Sequence, residues 1–157
     1  MYTDGEGMKA QPEPEAMTAA DIALTIEEFV HPTHNAMEAG FDGVELHGAN
    51  GYLLEQFIRP SSNWRNDSYG VPMEYRARFV LEMVDAVADA IGKHKVGIRL
   101  SLFGVFNDMP LYDGMETDYT YLAQQLNARG LLYIHRVDHS SMGAPVVPDT
   151  MKAIFRN

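Results

Sequence analysis

Three short aliphatic runs, 43–47, 96–100 and 131–137, most narrow what this chain can fold into. Each is separated from the next by a longer stretch of helical period. Strands that alternate with helices cannot be joined by hairpins. They need helical crossovers, so they run parallel, with right-handed connections. The pattern predicts an α/β fold of about three βα units, with strands at Gly43–His47, Val96–Leu100 and Leu131–Val137. In parallel α/β folds ligands sit at the carboxyl ends of the strands. The residues that follow each run are therefore the first place to look for chemistry.

The connecting segments carry their own signals. Thr18 is a candidate N-cap with Asp21 three residues later, and Ile22, Ile26, Phe29 and Val30 follow at helical spacing. Pro32 sits inside this pattern and predicts a kink or break. Tyr52–Ile58 reads as a short helical turn. Met73–Ile91 reads as one helix, with Phe79, Met83, Val84 and Val87 on one face and Gly92 as its stop. Residues 101–116 form a loop with Gly104, Pro110 and Gly114. Thr117–Arg129 is a third long helix ended by Gly130, and Pro148 opens a last one. Residues 1–17 are an extended lead-in, and 18–157 form one domain.

Composition removes several function classes. A 157-residue chain with 46% hydrophobic residues can build one core. A net charge of −10, with only 12 Lys and Arg, speaks against a nucleic-acid partner, because phosphate binding needs clustered cations. The absence of cysteine rules out disulfides, thiol catalysis and Cys-based metal sites. No apolar run approaches the roughly 18 residues of a membrane span. The acidic, polar amino terminus is unlike a signal peptide, so the expectation is a cytoplasmic protein without a membrane partner.

The polar residues cluster after the first strand. His47, Asn50 and Tyr52 lie within six positions, among Gly48 and Gly51. From spacing alone, a polar loop capping a strand explains them as readily as a site does. No metal pattern emerges. His31 and His34 have Pro32 between them, and His135 and His139 flank the end of the third run. The ten methionines are scattered gap-fillers.

The stretch His47-Gly-Ala-Asn-Gly-Tyr-Leu-Leu54 carries more information than its spacing. It continues through Ser62-Asn-Trp-Arg-Asn-Asp-Ser-Tyr-Gly70, Glu74 and Arg76-Ala-Arg-Phe79. It resumes at Val96-Gly-Ile-Arg-Leu-Ser101 and Gly104-Val-Phe-Asn107. These ordered motifs resemble the old yellow enzyme family of flavin-dependent ene-reductases, which includes the oxophytodienoate reductases. The resemblance covers nearly the whole chain but only the middle of a family chain. It implies a partial TIM (β/α)8 barrel, with this chain resembling the fourth to sixth βα units. It also implies FMN as cofactor, NAD(P)H as electron donor and an enone-type small-molecule substrate whose activated C=C bond is reduced.

Residue by residue, the resemblance gives His47 and Asn50 the substrate oxygen and Tyr52 the proton for the α-carbon. A phenol suits that task, being neutral near pH 7 and still a donor. Arg99 is the cofactor-binding candidate, facing the pyrimidine edge of the flavin. Phe106 matches a substrate-loop aromatic of some members. Glu74, Arg76 and Arg78 read as structural. The chain departs from the family at Pro32, within a helix that the resemblance implies is unbroken. It departs again at Val71, Pro72 and Tyr75, where Gly, Ser and Asn are usual. Three strands also leave two open edges, which favour self-association. The alternative reading is a catalytically inactive barrel fragment acting as an interaction module.

Overall fold

The structure, a computed structural model, describes residues 14–137 and 140–146. Residues 14–18 have no regular structure. His139 and the helix expected from Pro148 lie outside the described residues, as does most of the lead-in.

The first helix, α1, runs Ala19–Glu38 without a break. Thr18 and Asp21 form a reciprocal capping box at its start: the Asp21 N–H donates to the Thr18 hydroxyl, and the Thr18 N–H to the Asp21 carboxylate. Pro32 does not divide it. Its ring removes the N–H that would reach residue 28 and crowds the neighbouring carbonyls. The buried Thr33 hydroxyl compensates by donating to the Phe29 carbonyl at 2.8 Å. The expected break at Pro32 is thus corrected to a continuous helix with a side-chain bond one residue on.

Three parallel strands follow, β1 (Val44–Gly48), β2 (Val96–Leu100) and β3 (Tyr133–Arg136), paired in chain order. The third is shorter than its apolar run. Even so, the Leu132 N–H bonds the Val96 carbonyl and the Val137 N–H bonds that of Leu100, so pairing extends past both ends. After β1 comes α2 (Leu53–Ile58), with Tyr52 at its N-cap position. The helix expected over 73–91 is two segments, α3 (Met73–Arg76) and α4 (Arg78–Ile91). The backbone at Ala77, between them, stays right-handed helical, and its N–H bonds the Met73 carbonyl while its carbonyl accepts from Leu81. The loop after β2 contains a 3-10 turn at Phe106–Asp108. The next helix, α5, spans Met115–Arg129, two residues earlier than expected, because Gly114 turns the chain at φ 86°.

Alternation along the strands separates two faces. Leu46, Val96, Ile98 and Leu100 are buried with Phe79, Val80, Met83, Val84 and Val87 of α4, and α1 packs against α4 with Ile22 in the same core. The other face carries Glu45, His47, Arg99, Tyr133 and His135. Both outer strands have an unpaired edge among the described residues. This is a partial barrel of three βα units with an open polar face. No helix among the described residues is long and apolar enough to cross a membrane.

Candidate active site at the strand ends

Strand register puts the polar residues in rows. His47, Arg99 and His135 are lateral neighbours, one on each strand. One step toward the strand starts, Glu45, Gly97 and Tyr133 form a second row. A Cβ on Gly97 would stand 2.4 Å from the Tyr133 ring, so the glycine lets that ring lie across β2 toward Glu45. Burial and then the hydrogen bond to Glu45 raise the Tyr133 phenol above its usual value. The Glu45 carboxylate also meets Nδ1 of His135, at 3.1 Å.

The loop after β1 brings two of the three candidates, His47 and Tyr52, together. His47 is exposed on β1, and its ring centroid lies 5.2 Å from that of Tyr52, tilted by 46°. Tyr52 is 51% exposed, so its phenol is open to a ligand. Asn50, half-buried between them in sequence, adopts the left-handed conformation at φ 59°. Its Oδ1 is buried without a hydrogen-bond partner, and so is Nε of Arg99. Buried polar atoms are normally paired. Two orphans at the strand ends, an amide and a guanidinium nitrogen, are what a polar heterocyclic ligand would satisfy. The residues present therefore fit the pyrimidine edge of a flavin on the Arg99 side.

Phe106 is on the loop after β2, 47% exposed. Its loop is tied to the motif loop. Nδ2 of Asn107 donates to the Asn50 carbonyl at 2.8 Å, and the Phe106 carbonyl lies against Gly51.

Beneath the loop is a cluster that the sequence reading leaves out. Glu55, on α2, is completely buried. Its Oε1 accepts from Nε and Nη2 of Arg59 and from the Tyr119 hydroxyl, at 3.0, 2.8 and 2.7 Å. Its Oε2 accepts from the Gly51 N–H at 2.8 Å and the Ser101 hydroxyl at 2.7 Å. Arg59 extends to the carbonyls of Ser101 and Gly104. Burial works against the Arg59 charge, but Tyr119 and Glu55 outweigh it and its pKa is raised. Burial, then Glu55, pushes the Tyr119 phenol well above its usual value. The sequence signal was an acid and a base four apart on a short helix, which elsewhere marks an exposed pair.

With this geometry in hand, comparison with known proteins is decisive. Residues 2–153 match the family model described as NADH:flavin oxidoreductase / NADH oxidase. The chain belongs to this family. It is 46% identical over 136 residues to 12-oxophytodienoate reductase 1 of Oryza sativa subsp. japonica, covering 86% of this chain and 35% of that one. A Leishmania infantum relative, described as a probable flavin mononucleotide-dependent alkene reductase, is 46% identical over 123 residues, 78% of this chain and 33% of its own. Among solved structures, the old yellow enzyme homologue of Zymomonas mobilis superposes with a TM-score of 0.88 at 28% identity, over 97% of this chain and 44% of that one. The chain thus spans about a third of the length of the curated relatives it matches. The old yellow enzyme resemblance and the partial barrel of the sequence reading both hold.

Proposed function

We propose that this segment forms the substrate end of an FMN-dependent ene-reductase, which reduces the activated C=C bond of α,β-unsaturated carbonyl compounds with electrons from NAD(P)H. The observation that carries the reading is the meeting of the His47 and Tyr52 rings, with Asn50 between them in sequence, beside an Arg99 whose Nε is buried and unpartnered. The family's NADH:flavin description and the alkene reductase among its relatives support the reaction class.

Each residue has a task that its position allows. FMN, when bound, supplies the reducing electrons. Arg99 would hold its pyrimidine edge by charge-assisted hydrogen bonds from the end of β2. His47 and Asn50 donate to the substrate carbonyl oxygen and stabilise the negative charge that grows there as the alkene is reduced. Tyr52, exposed and beside His47, releases its phenolic proton to the α-carbon and regains one from solvent. Phe106 bounds the substrate space from the second loop.

The test is a chimera in which residues 18–146 replace the matching segment of the old yellow enzyme homologue of Zymomonas mobilis. The expected result is a flavin-loaded protein that oxidises NAD(P)H in the presence of a cyclic enone, and loses that activity with His47→Ala. A flavin-loaded chimera with no enone reduction would overturn the reading.

The two unpaired sheet edges favour a second reading, in which this chain pairs with another polypeptide to close a barrel. Sedimentation of the purified chain tests it, a concentration-independent monomer being the contrary result.

A further inference from the structure

Asn50 is the point where the substrate end meets the buried cluster. A side-chain-bearing residue at φ 59° is uncommon and has to be held. Three bonds do so. The Asn50 N–H donates to Oγ of Ser101 at 2.9 Å, Nδ2 of Asn107 donates to the Asn50 carbonyl, and the next N–H, at Gly51, donates to Oε2 of Glu55. The Gly51 carbonyl in turn accepts from Nε2 of Gln56, at 2.7 Å.

The direction of this chain is fixed by Glu55. Its oxygens already accept from Arg59, Tyr119 and the Gly51 N–H. Ser101 must therefore donate to Oε2, which leaves its lone pairs for the Asn50 N–H. One carboxylate thus secures two successive backbone N–H groups, one directly and one through a hydroxyl. An amide in its place cannot reproduce this. With its oxygen toward Gly51 and Ser101, its NH2 would meet the guanidinium of Arg59, which cannot accept. Turned round, its NH2 would meet the Gly51 N–H.

We propose that Glu55, acting through Ser101, is a positioning residue that holds Asn50 and Gly51 in the left-handed turn and so places the Asn50 amide and the Tyr52 phenol for substrate. The proposal rests on the functional reading above, but the turn can be measured without it. Neither residue touches the open face of the sheet. Their effect on substrate passes entirely through the backbone of residues 50–51.

Amide hydrogen exchange on the 157-residue chain tests the proposal, with the α4 amides of Val84 and Val87 as internal reference. Ser101→Ala is expected to lower protection of the Asn50 amide at least tenfold. Glu55→Gln is expected to lower it at both Asn50 and Gly51 by a clearly larger factor than at Val84 and Val87, whose loss reports the broken Glu55–Arg59 pair. A second variant separates positioning from simple stability. Asn50→Gly removes the strain of the left-handed turn. In that background Ser101→Ala is expected to leave Gly51 protection within about twofold, whereas in the native background it lowers it several-fold. Protection that persists at both amides overturns the proposal. So does an equal loss at the α4 amides, or an effect of Ser101→Ala that Asn50→Gly leaves intact. A parallel titration of the flavin-loaded chimera with a simple phenol, read at the Tyr52 and His47 resonances, reports on the substrate end. If no shift occurs while the exchange pattern is as expected, the functional reading fails and the holding of the turn by Glu55 stands.

Discussion

Two polar clusters share the loop at 47–52 and treat charge in opposite ways. Around Glu55 the charges are fully buried, and each carboxylate oxygen accepts bonds from groups within the chain. On the open face of the sheet His47 and Tyr52 are exposed, and Nε of Arg99 and Oδ1 of Asn50 are buried without partners. The first cluster is complete and gives rigidity; the second has hydrogen-bonding capacity left over, which is the mark of a surface shaped for a ligand. On the proposed reading the same loop has a structural underside and a chemical upper side, and substitutions on the two sides should separate cleanly.

The largest expected effect is kinetic. In the chimera described above, Tyr52→Phe should slow the enone-dependent half-reaction by about 10²–10⁴-fold, because it removes the proton donor. Flavin reduction by NAD(P)H needs no such proton and should be nearly unchanged, as should stability, since Tyr52 is half exposed. Stopped-flow traces of the two half-reactions decide this. Equal slowing of both would break the division of labour.

Next comes stability. Glu55→Ala strands the Arg59 charge in a buried site and should cost about 3–5 kcal/mol in denaturant unfolding of the chain. Arg99→Ala, on the open face, should cost less than about 1 kcal/mol. Similar costs for the two would mean that the clusters do not differ in kind. A smaller effect sharpens the reading of α1. Pro32→Ala should stabilise by about 1–2 kcal/mol, because a restored helical N–H outweighs the lost rigidity of the unfolded chain. A loss of stability there would show that Thr33 already makes the turn as good as a regular one.

The fold was legible because its signals are local and repeated. Val96–Leu100 is read to the residue, since Gly92 stops the helix before it and four of its five residues are buried. Pro32 misled because a propensity argument cannot see the Thr33 hydroxyl bonding to the Phe29 carbonyl. The start of α5 was late by two residues because Met115 and Glu116 carry no cap signal, and only the left-handed Gly114 sets it. The trio came from motif order, not from periodicity. The Glu55 cluster was not legible at all: its members sit at 51, 55, 59, 101 and 119, and only folding brings α2, α5 and the end of β2 together. Burial turns an ordinary-looking Glu–Arg pair into the support of the loop.

The central claim is that one end of a flavin site lies in this chain, on the Arg99 side. A dianionic phosphate needs a different cradle, a Gly-rich turn at a helix amino terminus. The long helix α5, whose amino terminus follows the loop after β2, has Glu116 and Asp118 in its first turn, which repel an anion. Each charge-assisted phosphate bond that the described residues do not supply would weaken binding by about 1.5–3 kcal/mol, or one to two powers of ten. Titration of the 157-residue chain with FMN, followed by flavin fluorescence, tests this directly. The account predicts a Kd that is micromolar or weaker and rises about tenfold further with Arg99→Ala. Stoichiometric binding at sub-micromolar FMN, or binding indifferent to Arg99→Ala, would contradict it.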